Sequence, residues 1–540
     1  MVATTENQSF MVEENVGRRE FLKVTSTGMA GAALGASAVP AGAAAQQAKS
    51  VSGVYDARAF GAKGDGKALD TAAINQAIEA AAGAGGGTVR FSAGSYLCYS
   101  IHLKSNVVLF LDAGATIVAA DPPTAGSGGY DPPEPNSWDQ YQDFGHSHWH
   151  NSLMWGEGLE NLSILGPGLI WGKGLSRGSG DKALPAGVGN KSISLKNCRN
   201  VILRDFSVRH GGHFAILATG VDNFTIDNLK IDTNRDAIDI DCCRNVRVSN
   251  CSVNSPWDDG ICLKSSYGLG FARSTDNVTI TNCYLTGGYE EGTLLDATCK
   301  PIPADSAPRN GRIKFGTESN GGFRNITVSN CVMENCLGLA LESVDGALLE
   351  DVSISNLTMR DIVDVPLFLR LGRRMRGPEG VPVGELRRVN ISDIVVSNCD
   401  SRQAALLTGV PGHAIEDIRL SNILILHRGG GTEETATVDP PENEQGYPEP
   451  RRFGPMPAHG FFLRHVKGIA MRDVEVRAMK EDARPAFVLQ DVQGAEFTHI
   501  KASRQADGPT FALRNVENFS LMQSRPLPDT HLERADQKTL

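Results

Sequence analysis

Asn200-Val-Ile-Leu-Arg-Asp-Phe206 is followed by Asn223-Phe-Thr-Ile-Asp-Asn-Leu229 and then by Asn245-Val-Arg-Val-Ser-Asn-Cys251. Each phrase opens on an amide, alternates apolar and polar positions, and closes on Asn or Asp followed by a core-type residue. Such alternation is a strand signal. The phrase returns from Asn277, Asn325, Asp351, Arg388 and Asp417, and more weakly from Gly468, Gly494 and Asn518. Repeats spaced in the low twenties, with short strands and polar turns, predict a parallel β-solenoid. The fold class expected is therefore all-β, a single-stranded parallel β-helix with long flank loops.

Register makes the repeat predictive, because equal positions in successive coils stack about 4.8 Å apart. The sixth position collects Asp205, Asn228, Asn250, Asn282, Asn330, Asn356, Asp393 and Asn422, a predicted ladder of turn amides. The seventh collects Phe206, Leu229, Cys251, Cys283, Cys331, Leu357, Ile394 and Ile423. Cysteine alternates there with aliphatics, so these thiols read as small core residues. With 11 Cys in the chain, one or two disulfides stay open as an alternative, but no zinc-type ligand quartet is seen.

Around the repeat lie punctuating segments. Gly17-Arg18-Arg19-Glu20-Phe21-Leu22-Lys23, an apolar run to Ala38 and Ala43-Ala44-Ala45 resemble a twin-arginine signal over residues 1–45. That implies passage through the twin-arginine translocase and a periplasmic or secreted protein, with no membrane span in the mature chain. Residues 50–524 are expected to form the catalytic β-helix, and 525–540 a tail. A short helix capped by Asp70, with Ile74, Ala77, Ile78 and Ala81 on its apolar face, is expected near the start. Asp121–His150, Gly288–Gly311 and Arg428–Gly460 break the rhythm and read as loops on the flank. A net charge of −10 argues against nucleic acid as a partner.

The same register places His213, Asp236, Asp258 and Glu290 in one column, with Asp259 and Glu291 beside it. Like charges about 5 Å apart repel, and more so as water is excluded. Stacking them in consecutive coils has little structural purpose. A carboxyl with a raised pKa is what a general acid near neutral pH requires. Asp258-Asp259-Gly260 alone would pass for a turn. Stacked acids could also hold calcium.

Asn234-Arg-Asp-Ala-Ile-Asp-Ile-Asp with Asp258-Asp-Gly-Ile-Cys-Leu-Lys-Ser resembles glycoside hydrolase family 28, the polygalacturonases, whose pattern is N-T-D, then D-D and a lysine-serine. The resemblance implies a right-handed parallel β-helix, no cofactor and no metal, and inverting hydrolysis of α-glycosidic bonds at galacturonate in a pectic polysaccharide or oligosaccharide. It implies Asp258 as general acid, Asp236 and Asp259 as bases, and Lys264 and His213 near the substrate. Two family motifs depart. Tyr289, beside Glu290, stands where a histidine is expected, and Ala340-Leu341-Glu342 where an Arg-Ile-Lys clamp is expected. A literal Arg312-Ile313-Lys314 comes one segment early and is read as a chance match whose cations could still face the groove. Arg370 and Arg373, with Arg374 and Arg376, are the expected replacement clamp, since arginine forks suit carboxylates. Long loops around the groove suggest exo action. The other readings are a rhamnogalacturonan-type pectin hydrolase, a pectate-lyase-like eliminase and a non-catalytic carbohydrate-binding β-helix. The segment Asp143–Trp155 is expected to contribute a stacking wall for sugar rings.

Overall fold

The computed structural model describes residues 53–540 except 125–127, 179–181, 304, 401 and 505–507. The twin-arginine segment lies outside the described residues. From Val54 onward the chain winds as a parallel β-helix. In the early coils each turn contributes a strand to three columns. One column runs Glu160–Leu165, Arg199–Arg204, Asp222–Asp227, Arg244–Ser249 and Thr275–Thr281. A second runs Leu169–Trp171, Ser207–Arg209, Lys230–Asp232, Ser252–Asn254 and Tyr284–Thr286. The third carries Lys191–Lys196, Phe214–Thr219, Asp236–Asp241, Ile261–Ser265, Ile313–Ser319, Leu339–Ser343 and Leu367–Leu371. From Phe323 on, single long strands bend across the first two columns.

Alternation explains the core. Ile238 and Ile240 point inward, in register with Ile261 and Leu263 and then with Ile313 and Phe315. Cys251, Cys283 and Cys331 are buried in the predicted core column, and all eleven cysteines are free thiols. The helix Thr71–Gly83 buries the four expected residues over the first coils. Asp70 does not cap it with its side chain. Its carboxylate instead accepts from the amides of Lys63 and Gly64, at 2.6 and 2.9 Å. Residues 525–540 are not a loose tail, because Thr530–Thr539 returns antiparallel along Phe511–Met522 and covers that strand's outer edge.

Two amide ladders fix the turns. The expected one is present with interruptions: Asn228 donates to Asp205 at 2.9 Å, Asn356 to Asn330 at 2.8 Å and Asn422 to Asp393 at 2.7 Å, but Asn250 donates to Asp227 and Asn330 to Thr281. The other runs through the opening residue of each phrase, from Asn325 through Asn277, Asn245, Asn223, Asn200 and Asn161 to Asn106, each Nδ2 donating to the previous Oδ1 at 2.9–3.2 Å. All seven have φ between 52° and 62°. That left-handed region costs most residues about 1–2 kcal/mol and costs asparagine less, so one residue type satisfies the turn and the ladder. Asn245→Ala removes two ladder bonds and adds backbone strain. It is expected to lower stability by about 2 kcal/mol in urea unfolding, while Asn245→Gly should recover the strain share.

Candidate active site

Two parallel strands deliver the three carboxylates. Asp236 opens Asp236–Asp241, while Asp258 and Asp259 occupy the turn leading into Ile261–Ser265. The Ala237 amide donates to the Asp259 carbonyl at 3.1 Å, and that of Gly311 to the Asp258 carbonyl at 2.9 Å. Ser255 Oγ contacts the carbonyls of both Arg235 and Asp258, at 2.6 and 2.9 Å. Gly260 completes the turn because a Cβ there would sit 2.9 Å from the Gly311 carbonyl oxygen. One carboxylate oxygen from each of Asp236, Asp258 and Asp259 lies within 4.8 Å of the others.

The expected column is corrected by one residue. Phe214 pairs with Asp236, and Ile238 with Ile261, so Asp236 lies level with Asp259, and His213 level with Arg235. The turn before Ile261 is one residue longer than its predecessor, which shifts the simple offset count. Glu290 is not in the column. It sits exposed in the loop after Tyr284–Thr286, its amide bonded to the Lys300 carbonyl. Glu291 pairs with His210 at 3.1 Å.

Arg312-Ile313-Lys314 is no coincidence. Ile313 registers with Ile261, which places both cations against the second aspartate of the pair. Arg312 Nε donates to Asp259 Oδ1 at 2.9 Å, and Lys314 Nζ lies 3.6 Å from Oδ2. The stretch stands one coil before Leu339–Ser343, where the clamp was expected. Its two cations are themselves enclosed. Arg312 also donates to Glu449 at 2.8 Å, and Lys314 to the Tyr447 hydroxyl at 3.2 Å with Glu342 at 3.7 Å.

These pairings set the protonation pattern. Burial pushes Asp259 up, but Lys314 and Arg312 outweigh it and hold the carboxylate at about 2. Asp236 goes the other way: burial, then the charges of Asp258 and Asp239, raise it well above the usual range. Asp258 is the most open of the three, its side chain 26% exposed, and it accepts from Arg235 Nε at 3.0 Å. Burial raises Glu342 to about 7 despite Lys314 and Arg312.

The remaining expected site residues are placed as follows. Lys264 is buried and donates to Glu318 at 3.1 Å, with Asp239 at 4.0 Å, so it knits the floor rather than reaching a ligand. His213 is fully buried and stacks on Phe214 at 4.3 Å, which makes it a packing residue beneath the groove. Tyr289 turns away: its hydroxyl meets that of Tyr284 at 2.9 Å. Arg370 is not a clamp. It is buried against Phe453 and donates to the carbonyls of Gly409, Glu442 and Asn443, anchoring a loop. Arg373 pairs with Glu444 at 3.4 Å on the same loop. Arg374 binds Asp345, and Arg376 binds Asp143 at 3.1 Å.

Sequence reasoning missed Asp239, Glu318, Tyr447 and Glu449, and gave Glu342 no role. Alternation along the Ile-x-Ile strands would have found Asp239 and Glu342. Nothing in the repeat points to Tyr447 or Glu449, which arrive on the Arg428–Gly460 loop. That loop lays Phe453, Met456 and Ala458 over Phe368, Leu406 and Phe462 on the outer face of the third column. At the other end, the segment before His150 covers the earlier strands. His146 Nε2 lies 3.2 Å from Asp239, and Trp149 is buried with its indole N–H donating to Thr219. This segment is a plug, not the expected open stacking wall.

Residues 140–290 match the family model described as Glycosyl hydrolases family 28, and residues 54–164 match Rhamnogalacturonase A/epimerase, pectate lyase-like. The chain is 23% identical over 393 residues to a "Probable polygalacturonase" of Vitis vinifera, covering 68% of this chain and 73% of that one. In fold it is similar to the family 28 exopolygalacturonase of Yersinia enterocolitica, with a TM-score of 0.53 at 17% identity over 84% of this chain and 78% of that one. It is also similar to PfbA, a surface adhesin of Streptococcus pneumoniae, with a TM-score of 0.50 at 18% identity over 86% and 92%. At these identities the two structures show the fold alone.

Because the folded-state pKa of Glu342 lies above the unfolded value, its contribution to stability is present below about 4.5 and is lost as pH rises through about 7. The fall in Tm between those limits is expected to be shallower in Glu342→Gln, as read by thermal unfolding across the range.

Proposed function

We propose that this glycoside hydrolase, polygalacturonase-like in the segment that carries its aspartates, removes terminal sugars from pectic polysaccharides or oligosaccharides with inversion. The observation that carries the hydrolytic reading is the split between Asp259, held ionised by Arg312 and Lys314, and Asp236, held toward its protonated form beside Asp258. Two titratable groups pushed apart are an acid/base assignment. Asp236 holds a proton beside Asp258, because burial and the charges of Asp258 and Asp239 disfavour its ionised form. Asp258, at the mouth, delivers it to the glycosidic oxygen. Asp259, on the floor, takes the proton of the attacking water. An eliminase would need a basic residue free to take the proton next to the sugar carboxylate, whereas here Lys314 and Arg312 are engaged by Asp259.

The exo reading is supported by the two loops that cover the third column. A polymer lying along the third column meets the His146 plug on one side of the aspartates and the Tyr447–Glu449 loop on the other. One chain end can enter between them. Inversion is proposed from the family match, because carboxyl oxygens within 4.8 Å of one another are as close as those of a retaining pair. The three carboxylates could crowd a cation, but Arg235, Arg312 and Lys314 already lie against them, and the reaction as drawn uses no metal.

Asp258→Asn and Asp259→Asn are each expected to lower the release of reducing ends from pectic oligosaccharides by at least about 100-fold, with chelator present and no unsaturated products. Random internal cuts would remove the exo assignment, and retained anomeric configuration in proton NMR would remove inversion. We also propose export by the twin-arginine route, on the basis of Arg18 and Arg19. Changing both to lysine is expected to leave the protein in the cytoplasmic fraction.

A further inference from the structure

The cations around the aspartates have carboxylate partners already. Arg312 is held by Asp259 and Glu449, and Lys314 by Asp259 and Glu342. Lys264 belongs to Glu318, and Arg235 to Asp258. A sugar carboxylate entering here would meet no free cation, because Asp259 and Glu449 already hold Arg312, and Asp259 and Glu342 already flank Lys314. Nor can it reach them, because the side chains of Arg312 and Lys314 are each only 2% exposed. What covers Lys314 is the Tyr447 ring, its hydroxyl end enclosed by Lys314 and Thr317 while the residue is 40% exposed. A ring in this position meets an aromatic face, which suits the C–H face of an uncharged sugar.

The mouth differs. Trp257 adjoins Asp258 and is 44% exposed. The Arg177 guanidinium lies over its ring at 5.4 Å, and Arg177 has no carboxylate partner among the described residues. The Arg177 carbonyl accepts from Arg235, which ties this rim to the aspartates. Thus an aromatic platform with an unneutralised cation stands on the side of Asp258 from which a leaving ring departs.

We propose that the sugar ring whose bond is cut is uncharged, and that the acidic ring of the pectic substrate is the leaving ring, carried on Trp257 and Arg177. This rests on the hydrolase reading above and names its substrate class: an acidic chain ending in a neutral, α-linked hexose or 6-deoxyhexose. Water adds to the anomeric carbon of the neutral ring, the glycosidic C–O bond breaks, and the leaving uronate's hydroxyl takes the proton from Asp258.

The test is a set of α-linked disaccharides that share galacturonate as the leaving ring and differ in the other ring: galactose, a 6-deoxyhexose or galacturonate. At least one neutral-ring member is expected to show kcat/KM at least ten-fold above digalacturonate. Glu342→Gln is expected to narrow that ratio. Arg177→Ala is expected to raise KM at least five-fold for the acidic leaving ring but not for its methyl ester. Equal or better cleavage of digalacturonate overturns the neutral ring while leaving the hydrolase reading intact. An Arg177→Ala effect that is the same for acid and ester overturns the leaving-ring assignment. Calorimetric binding of the same set to Asp258→Asn separates the two layers. A neutral-ring preference in binding without turnover in the parent supports the subsite and sinks the hydrolase, whereas absence of binding and turnover for every member overturns both.

Discussion

Parallel register is the constraint on which this molecule depends. A strand in the third column cannot slip by one residue without turning its core face outward, so the inward aliphatics of one coil fix the outward groups of the next. Ile238 against Ile261 against Ile313 sets Asp236 beside Asp259, and Asp259 beside Arg312. The geometry of the aspartates is thus a by-product of core packing, held further by two rows of turn amides. Replacing an inward isoleucine would be felt first as a cavity and then as a misplaced carboxylate.

The second determinant is dehydration. Asp236, Asp239, Asp259, Glu318 and Glu342 are all buried with Lys264, Arg312 and Lys314. Charges taken out of water need partners at close range, and the two long loops supply the enclosure that makes each pairing count. The same loops decide access. A parallel β-helix offers an open trough by default. What distinguishes this chain is the floor chemistry together with its two barriers.

Much of this was legible in the sequence, for a definable reason. The coil repeat, the buried thiols, the turn ladder through Asn228 and Asn356 and the aspartates at 236, 258 and 259 all follow from periodic positions, where local spacing implies spatial proximity. The errors arose where periodicity fails. A single extra residue in the turn before Ile261 moved Asp236 out of step with Asp258, and Arg312 and Lys314 reach Asp259 from the coil before the one where a clamp was expected. Arg370 was expected at a ligand because it lies beside three other arginines, yet its fork is committed to loop carbonyls. Tyr447 and Glu449 come from a segment with no repeat, so only the folded chain brings them to Lys314 and Arg312.

The returning strand Thr530–Thr539 has a bearing on assembly. A parallel solenoid is an unfinished object: its last coil offers a row of unpaired backbone groups on which any further strand, including one from another molecule, could add. Here that row along Phe511–Met522 is occupied by an antiparallel segment rich in Glu533, Arg534, Asp536, Gln537 and Lys538. Reversed direction and dense charge make it a poor template for another coil. The strand therefore occupies the backbone edge on which a further parallel coil would otherwise stack.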